Sequence, residues 1–290
     1  MATLTWTGTT STAWSTSTNW NPNSAAGGPG TTDNCYVDGS VTVNIASTGD
    51  ETGILSLHVA SSYTGTIGES GSPLDLVTCR QINFSGQGDA YFKAVMAGTS
   101  DDVTVRTSSM AANAVNIDST GTINRVNILQ GRANVQGGTI STLNNGHVGG
   151  RMGDTQCTVE SGVTAVSATN LISGRISSAQ TLAGTVNVNG GVLEITDSAG
   201  LNGGTSILNL NGGTLVAKGT STYTLLNVFS GKADFTGDGR AKTVTNMNVY
   251  TGGVVDLRNG SNSITMSNNP IVFGDGRVLA TGQTLTLKVK

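Results

Sequence analysis

The feature that most constrains this chain is a short phrase that keeps returning: an asparagine, an apolar residue, two further residues, then glycine. It reads Asn187-Val188-Asn189-Gly190-Gly191, then Asn209-Leu210-Asn211-Gly212-Gly213, then Asn227-Val228-Phe229-Ser230-Gly231, then Asn248-Val249-Tyr250-Thr251-Gly252. Upstream, Asn127-Ile128-Leu129-Gln130-Gly131 fits, and Asn170-Leu171-Ile172-Ser173-Gly174 fits more weakly. The asparagines at 127, 170, 187, 209, 227 and 248 are separated by steps of 43, 17, 22, 18 and 21 residues. The first step is two periods, which predicts a degenerate coil near Asn145 to Gly149. Downstream, Ile271-Val272-Phe273-Gly274 keeps the corner but puts Pro270 where the asparagine is expected.

A period near 20 residues with variable length marks stacked repeats whose turns absorb insertions. The residues before the glycine alternate, as Val186 and Val188 do against Asn187 and Asn189. Those after it also alternate, as in Leu193 and Ile195, Leu215 and Ala217, Ala233 and Phe235, Val255 and Leu257. Each such strand buries one face. Two of them meeting at a glycine that tolerates positive φ, with a third strand closing the turn, enclose an apolar channel. A tandem of antiparallel hairpins would also give strand, turn and strand. The recurrence of one residue type at one phase favours stacked parallel coils. The expected fold is all-β, a parallel β-helix (β-solenoid) of coils about 20 residues long, with Asn127, Asn187, Asn209, Asn227 and Asn248 as a stacked amide ladder.

Composition agrees. Charged residues are 11 % of the 290, against roughly 25 % in ordinary domains, while glycine is 41. Val, Ile and Thr recur throughout, and helical periodicity is nearly absent. The chain divides into a Trp-rich cap at residues 1–35, irregular β-rich early coils at 36–125, and regular coils at 126–290. All three tryptophans (Trp6, Trp14, Trp20) fall in the cap. Clustered there, they are expected to plug the open end of the solenoid; the alternative is an exposed platform for sugar or a partner. Early strands are expected at Tyr36-Val37, Val41 to Ile45, Ile54 to Val59 and Asp102 to Val105. The alternating tail Gln283 to Lys290 carries two lysines that discourage edge-to-edge aggregation.

The net charge of −3 gives no footprint for nucleic acid. No apolar run approaches the roughly 18 residues of a membrane span, and the first residues lack the basic and apolar regions of a secretory signal. Cys35, Cys79 and Cys157 fit neither a disulfide framework nor a metal site, and are expected to be small buried side chains. His58 and His147 stand alone in the sequence. Gly237-Asp238-Gly239 and Gly274-Asp275-Gly276 resemble calcium loops, but one aspartate per loop makes a poor site. Gly149-Gly150 lacks the lysine of a phosphate loop, and Asp101-Asp102 reads as a turn.

Two segments carry a family resemblance. Trp6-Thr7-Gly8, Trp14-Ser15-Thr16, Asn19-Trp20-Asn21-Pro22 and Thr32-Asp33-Asn34 together resemble the opening of β-solenoid proteins of bacterial surfaces and phage particles. Leu55 to Val59 with Tyr63 to Gly68 and Pro73-Leu74 resembles phage-encoded β-solenoids, and the coil phrases look like those of pertactin- and haemagglutinin-type adhesins. These are packing motifs, informative on fold and weak on function. The resemblance, taken with the missing export signal, implies a structural virion protein assembled in the host cytoplasm. It would be a capsid decoration or cement protein, a homotrimer bound to the major capsid protein or another virion component. The alternatives are a tail spike or fibre that binds or cleaves host glycan, and a bacterial surface adhesin.

Since phage β-helices often cleave polysaccharide, the carboxylates are the candidates for chemistry. Glu194, Asp234 and Asp256 share one outward phase, and Val216 interrupts them. Asp234 and Asp256 should therefore stand on adjacent coils, roughly 5 Å apart, near the spacing of a retaining glycosidase. Stacked carboxylates repel, so one pKa is expected to rise. Lys232 and Arg258 lie close enough in sequence to neutralise them, and the expectation is a solvated, non-catalytic surface. No catalytic, cofactor-binding or metal-ligating residues are assigned.

Overall fold

The computed structural model describes residues 1–51, 53–94, 96, 101–107, 115–147, 155–196, 207–238, 240–258, 264–281 and 288–289. It is all-β, a parallel β-solenoid with coils of roughly 22 residues; the single helical turn among these residues is Ser17–Asn19. The chain forms two compact units, Met1–Ser141 and Thr142–Lys290.

Among the described residues of the second unit the coils run through three faces. The strand Lys242–Val249 shows the plan. Its first half, Lys242 to Val244, pairs in parallel with Ser221 to Tyr223 below and Ile264 to Met266 above, making one face. Its second half, ending in Asn248-Val249, pairs with Leu225 to Val228 and makes the next. The chain then turns at Gly252, at φ 84°, and Gly253–Asp256 forms the third face against Gly231–Asp234. We call these the threonine, amide and charged faces, after the side chains they point outward.

Register makes the columns. On the amide face Val188, Leu210, Val228, Val249 and Val272 stack in successive coils. On the charged face Ile176, Leu193, Leu215, Ala233 and Val255 do the same. All are buried. Each buried aliphatic side chain contributes on the order of 2 kcal/mol, and the alternation that exposes its neighbours follows from the two-residue period of a strand.

The asparagine ladder forms from Asn187 to Asn248 as the sequence predicts and extends down to Asn170, while Asn127, expected in it, donates to Thr104 Oγ1 at 3.4 Å. Asn187 Nδ2 donates to Asn170 Oδ1 at 3.1 Å, Asn209 to Asn187 at 3.0 Å, Asn227 to Asn209 at 2.9 Å and Asn248 to Asn227 at 2.8 Å. Its lower end differs from expectation. Asn144, not Asn145, takes the ladder position and accepts from Asn170 at 2.9 Å. Asn145 points inward and donates to Thr155 Oγ1 at 3.2 Å and Ser173 O at 3.1 Å; Gly149 lies outside the described residues. The upper end differs too: Ile271, not Pro270, lies opposite Asn248. The corner to Gly274 is one residue shorter there, which moves the register by one. The glycine corner is a backbone requirement. Gly231 sits at φ 85°, and a Cβ on it would stand 2.4 Å from Gly213 O.

The first unit repeats the scheme less regularly. Strands Thr3–Trp6, Asn34–Val37, Ile54–Val59, Cys79–Phe84 and Asp102–Arg106 stack in parallel. Thr122–Val135 follows as one bent strand, its first half on Asp102–Arg106 and its second on Val115–Asp118 around Gly131. The expected strand from Val41 to Ile45 is absent; only Ile45 makes a single bridge, to Ile67. The free edge of Thr3–Trp6 is covered by Trp20–Asn21 running antiparallel. Trp6, Trp14 and Trp20 pack edge to face with centroids 5.2 and 4.7 Å apart, and all three are buried. Asn19 holds the loop around them, accepting from Thr10 N at 2.9 Å and Ser11 N at 3.1 Å. The tryptophans therefore form a plug and offer no platform. In the tail only Lys288–Val289 is described, paired with Ile271–Val272.

Two substitutions test this packing. Asn209→Ala should lower stability by about 1–2 kcal/mol, because two neighbouring amides lose a partner. Gly231→Ala should cost more, through both its φ and the Gly213 clash. Chemical unfolding of the variants should show the midpoint falling in that order.

Candidate functional site

The charged face holds the carboxylates that the sequence singles out, and the register is the expected one: Glu194 opposite Val216, Val216 opposite Asp234, Asp234 opposite Asp256. The neutralisation expected from Lys232 and Arg258 is also present. Lys232 Nζ bridges the pair, 2.7 Å from Asp234 Oδ2 and 3.2 Å from Asp256 Oδ2. Arg258 forks onto Asp256 with Nε and one terminal nitrogen, each at 2.9 Å. The Thr236 amide and hydroxyl donate to Asp234 Oδ1 at 2.9 and 2.6 Å.

The expected rise in one carboxyl pKa is therefore overturned. Hydrogen bonding from Arg258 holds Asp256 well below the usual carboxylate range, despite its burial. Burial alone pushes Asp234 up, but hydrogen bonds from Lys232 and Thr236 outweigh it and leave the carboxyl lowered. Two like charges can share a site here because a cation sits between them. A glycosidase needs one carboxyl kept protonated as general acid, and neither member of this pair is held that way. Glu194 is arranged alike, with Lys218 Nζ at 2.5 Å from Oε1 and Arg175 on Oε2.

Asp238, from the first Gly-Asp-Gly loop, is the counter-ion of a buried lysine that the sequence reading missed. The Lys242 side chain is fully buried, with Nζ 2.5 Å from Asp238 Oδ1 and 3.1 Å from Arg240 O. The Asp238 carboxylate also accepts the Gly219 amide. Lysine starts its strand at a position shared with Ser221 and Ile264, so nothing in the local alternation marks it as paired. Among the described residues no cluster of three or more His, Cys, Asp or Glu could hold a metal ion.

His58 is isolated in sequence but not in space. It stacks on Tyr36 at 4.8 Å. Asn83 Nδ2 donates to its Nδ1 at 3.1 Å, which leaves Nε2 as donor to Ser56 Oγ at 3.0 Å. Ser56 Oγ in turn donates to Asn34 Oδ1 at 2.6 Å. The hydroxyl proton thus points away from the imidazole, and Ser56 is only 4 % exposed. The trio is a hydrogen-bonded column and not a base beside a nucleophile. Burial lowers the His58 pKa. The three cysteines are buried and free, as expected; burial pushes the Cys79 and Cys157 thiols up to about 12, far from the reactive thiolate range.

One aromatic column that the sequence analysis did not single out appears in the structure. Phe229, Tyr250 and Phe273 stack face to face at 4.6 and 4.7 Å on successive corners. They continue the column that Asn189 and Asn211 begin, where Asn211 Nδ2 donates to Asn189 Oδ1 at 2.9 Å. Their spacing of 21 and 23 residues at the corner glycine was the available signal. Concave features are shallow. The first unit has a groove of about 250 Å³ among Thr12, Asn44, Thr66, Glu69 and Ser72. The second has a notch of about 310 Å³ among Asn246, Asn248, Asn268 and Asn269. No family model, no curated protein and no solved structure matches the chain.

Asp238→Asn should destabilise the second unit by about 3 kcal/mol, since it strands a buried ammonium; Lys242→Met should cost less, by thermal unfolding. Because the folded Asp256 pKa is depressed, its contribution is complete above the unfolded value near 3.9 and is lost as pH falls below it. Asp256→Asn should accordingly flatten the acid limb of the stability curve below about pH 4, measured by denaturant unfolding across pH.

Proposed function

We propose that the chain is a structural protein of a phage particle, of the kind that decorates and cements the head by binding neighbouring capsid subunits. In this reading it acts as a homotrimer in the virion, after assembly in the host cytoplasm. The observation that carries the structural half is the Lys232 bridge: the best-placed carboxylate pair is ionised, neutralised and committed to holding coils together. The columns of asparagine and aromatic rings are likewise spent on cross-coil contacts. Coils reinforced in this way suit mechanical work. The phage half draws on the resemblance of the opening segment and of Leu55 to Leu74 to phage β-solenoids.

A second reading, a tail spike or fibre that binds glycan, is favoured by one observation, the column of Phe229, Tyr250 and Phe273, since Phe229 is 39 % exposed. Sugar rings stack on exposed aromatic faces, but here the rings cover one another's faces and present edges.

The purified chain should co-sediment with particles, as a trimer, and resist trypsin and heat. A monomer that never appears in particles would rule the first reading out. Loss of glycan cleavage in Asp234→Asn and Asp256→Asn variants would establish the enzymatic form of the second.

A further inference from the structure

The three faces of the second unit differ in what they show to solvent. The amide face presents its hydrogen-bonded ladder. The threonine face presents neutral hydroxyls, with Thr222, Thr243 and Thr265 in register. On the charged face the carboxylates lie beneath and the cations above. Glu194, Asp234 and Asp256 side chains are 8 %, 21 % and 3 % exposed, while Arg175, Lys218, Lys232 and Arg258 are 45 %, 42 %, 41 % and 53 % exposed. A chain of net charge −3 thus turns positive groups outward on this one surface.

The same face carries outward apolar residues. Val192 and Val254 share one outward column with Thr214 and Lys232, and Val216 lies in the carboxylate column. All three valines are half-buried, while Leu193, Leu215 and Val255 beside them take the core positions. Nothing in the coil needs an apolar residue on the outside; threonine fills the same phase at 214. Half-buried apolar residues beside arginines, with a polar rim, match the make-up of a protein interface. The cations are already oriented by their carboxylates, so little side-chain freedom is lost on binding.

We infer that the charged face, where the outward column Val192, Thr214, Lys232 and Val254 runs beside Val216 with Arg175, Lys218 and Arg258 flanking it, is the surface that docks onto an acidic protein surface of the particle. The inference rests on the virion reading and names the face it uses. Charge complementarity selects the partner: the most exposed charged groups are cationic, and their counter-charges are less exposed than they are. Glycan is the less fitting occupant, because the half-buried valines give it nothing to hydrogen-bond.

The test is co-sedimentation with particles of the encoding phage that lack this chain, using wild type, Val192→Glu/Val254→Glu, and Thr243→Glu on the threonine face. Val192→Thr/Val254→Thr, nearly isosteric, covers a folding failure of the glutamate variant. Wild type and Thr243→Glu should bind equally, and binding should weaken with salt. The glutamate pair should lose about tenfold or more in affinity, and the threonine pair a smaller factor. Wild-type binding that both valine variants retain overturns the face and leaves the virion reading standing. Failure of wild type to bind overturns both. A parallel arm with polygalacturonate separates the occupants: its binding to wild type, lost in the valine variants and without particle binding, would assign the face to acidic glycan and overturn the proposal.

Discussion

Everything in this protein depends on parallel coils stacking in register about 4.8 Å apart. At that distance a side chain's main neighbours are the residues at its own phase in the coils above and below. Inside, this produces columns such as Val188, Leu210, Val228 and Val249. Outside, it produces amide, aromatic and charged columns. The backbone bonds fix the spacing, and the chemistry of each column then decides whether stacking is favourable. Asparagine suits it because one amide both donates and accepts. Flat rings suit it because 4.6 to 4.7 Å is within stacking range. Carboxylates do not suit it, and the structure resolves the conflict with Lys232 and Arg258.

That resolution is also why the carboxylates read as structural. Stacking Asp234 under Asp256 should repel and raise one pKa, giving the proton donor that glycan cleavage needs. Placing Lys232 between them does the reverse and holds both ionised. The same logic governs Asp238 and Lys242, where a buried ammonium is tolerated because one carboxylate is dedicated to it. Charge is scarce in this chain, and among the described residues much of it is spent in pairs.

An end of a solenoid is a problem that stacking cannot solve, because the terminal coil has no neighbour. The first unit meets it with local means. The short strand Trp20–Asn21 turns antiparallel against Thr3–Trp6, and three tryptophans fill the space over the channel. Buried tryptophans at an end reflect the need to cover apolar core, a job that a sugar platform would leave undone.

The sequence by itself determined the all-β class, the coil period, the glycine corners, the amide ladder from Asn187 to Asn248, and the common phase of Glu194, Asp234 and Asp256. Each is set by spacing along the chain, which a regular period converts directly into position. Only the tertiary structure decided the rest. It set Asn144 and Ile271 in the ladder's end positions, because loops of unequal length shift register in ways spacing does not show. It left Val41 to Ile45 without a strand despite its alternation, because pairing depends on what the next coil offers. It gave His58 the partners Tyr36, Ser56 and Asn83, and it put cations over carboxylates on the charged face. Those facts concern side chains about 20 residues apart that meet only once the coils have stacked, and the meeting, more than the residue types, fixes what each one does.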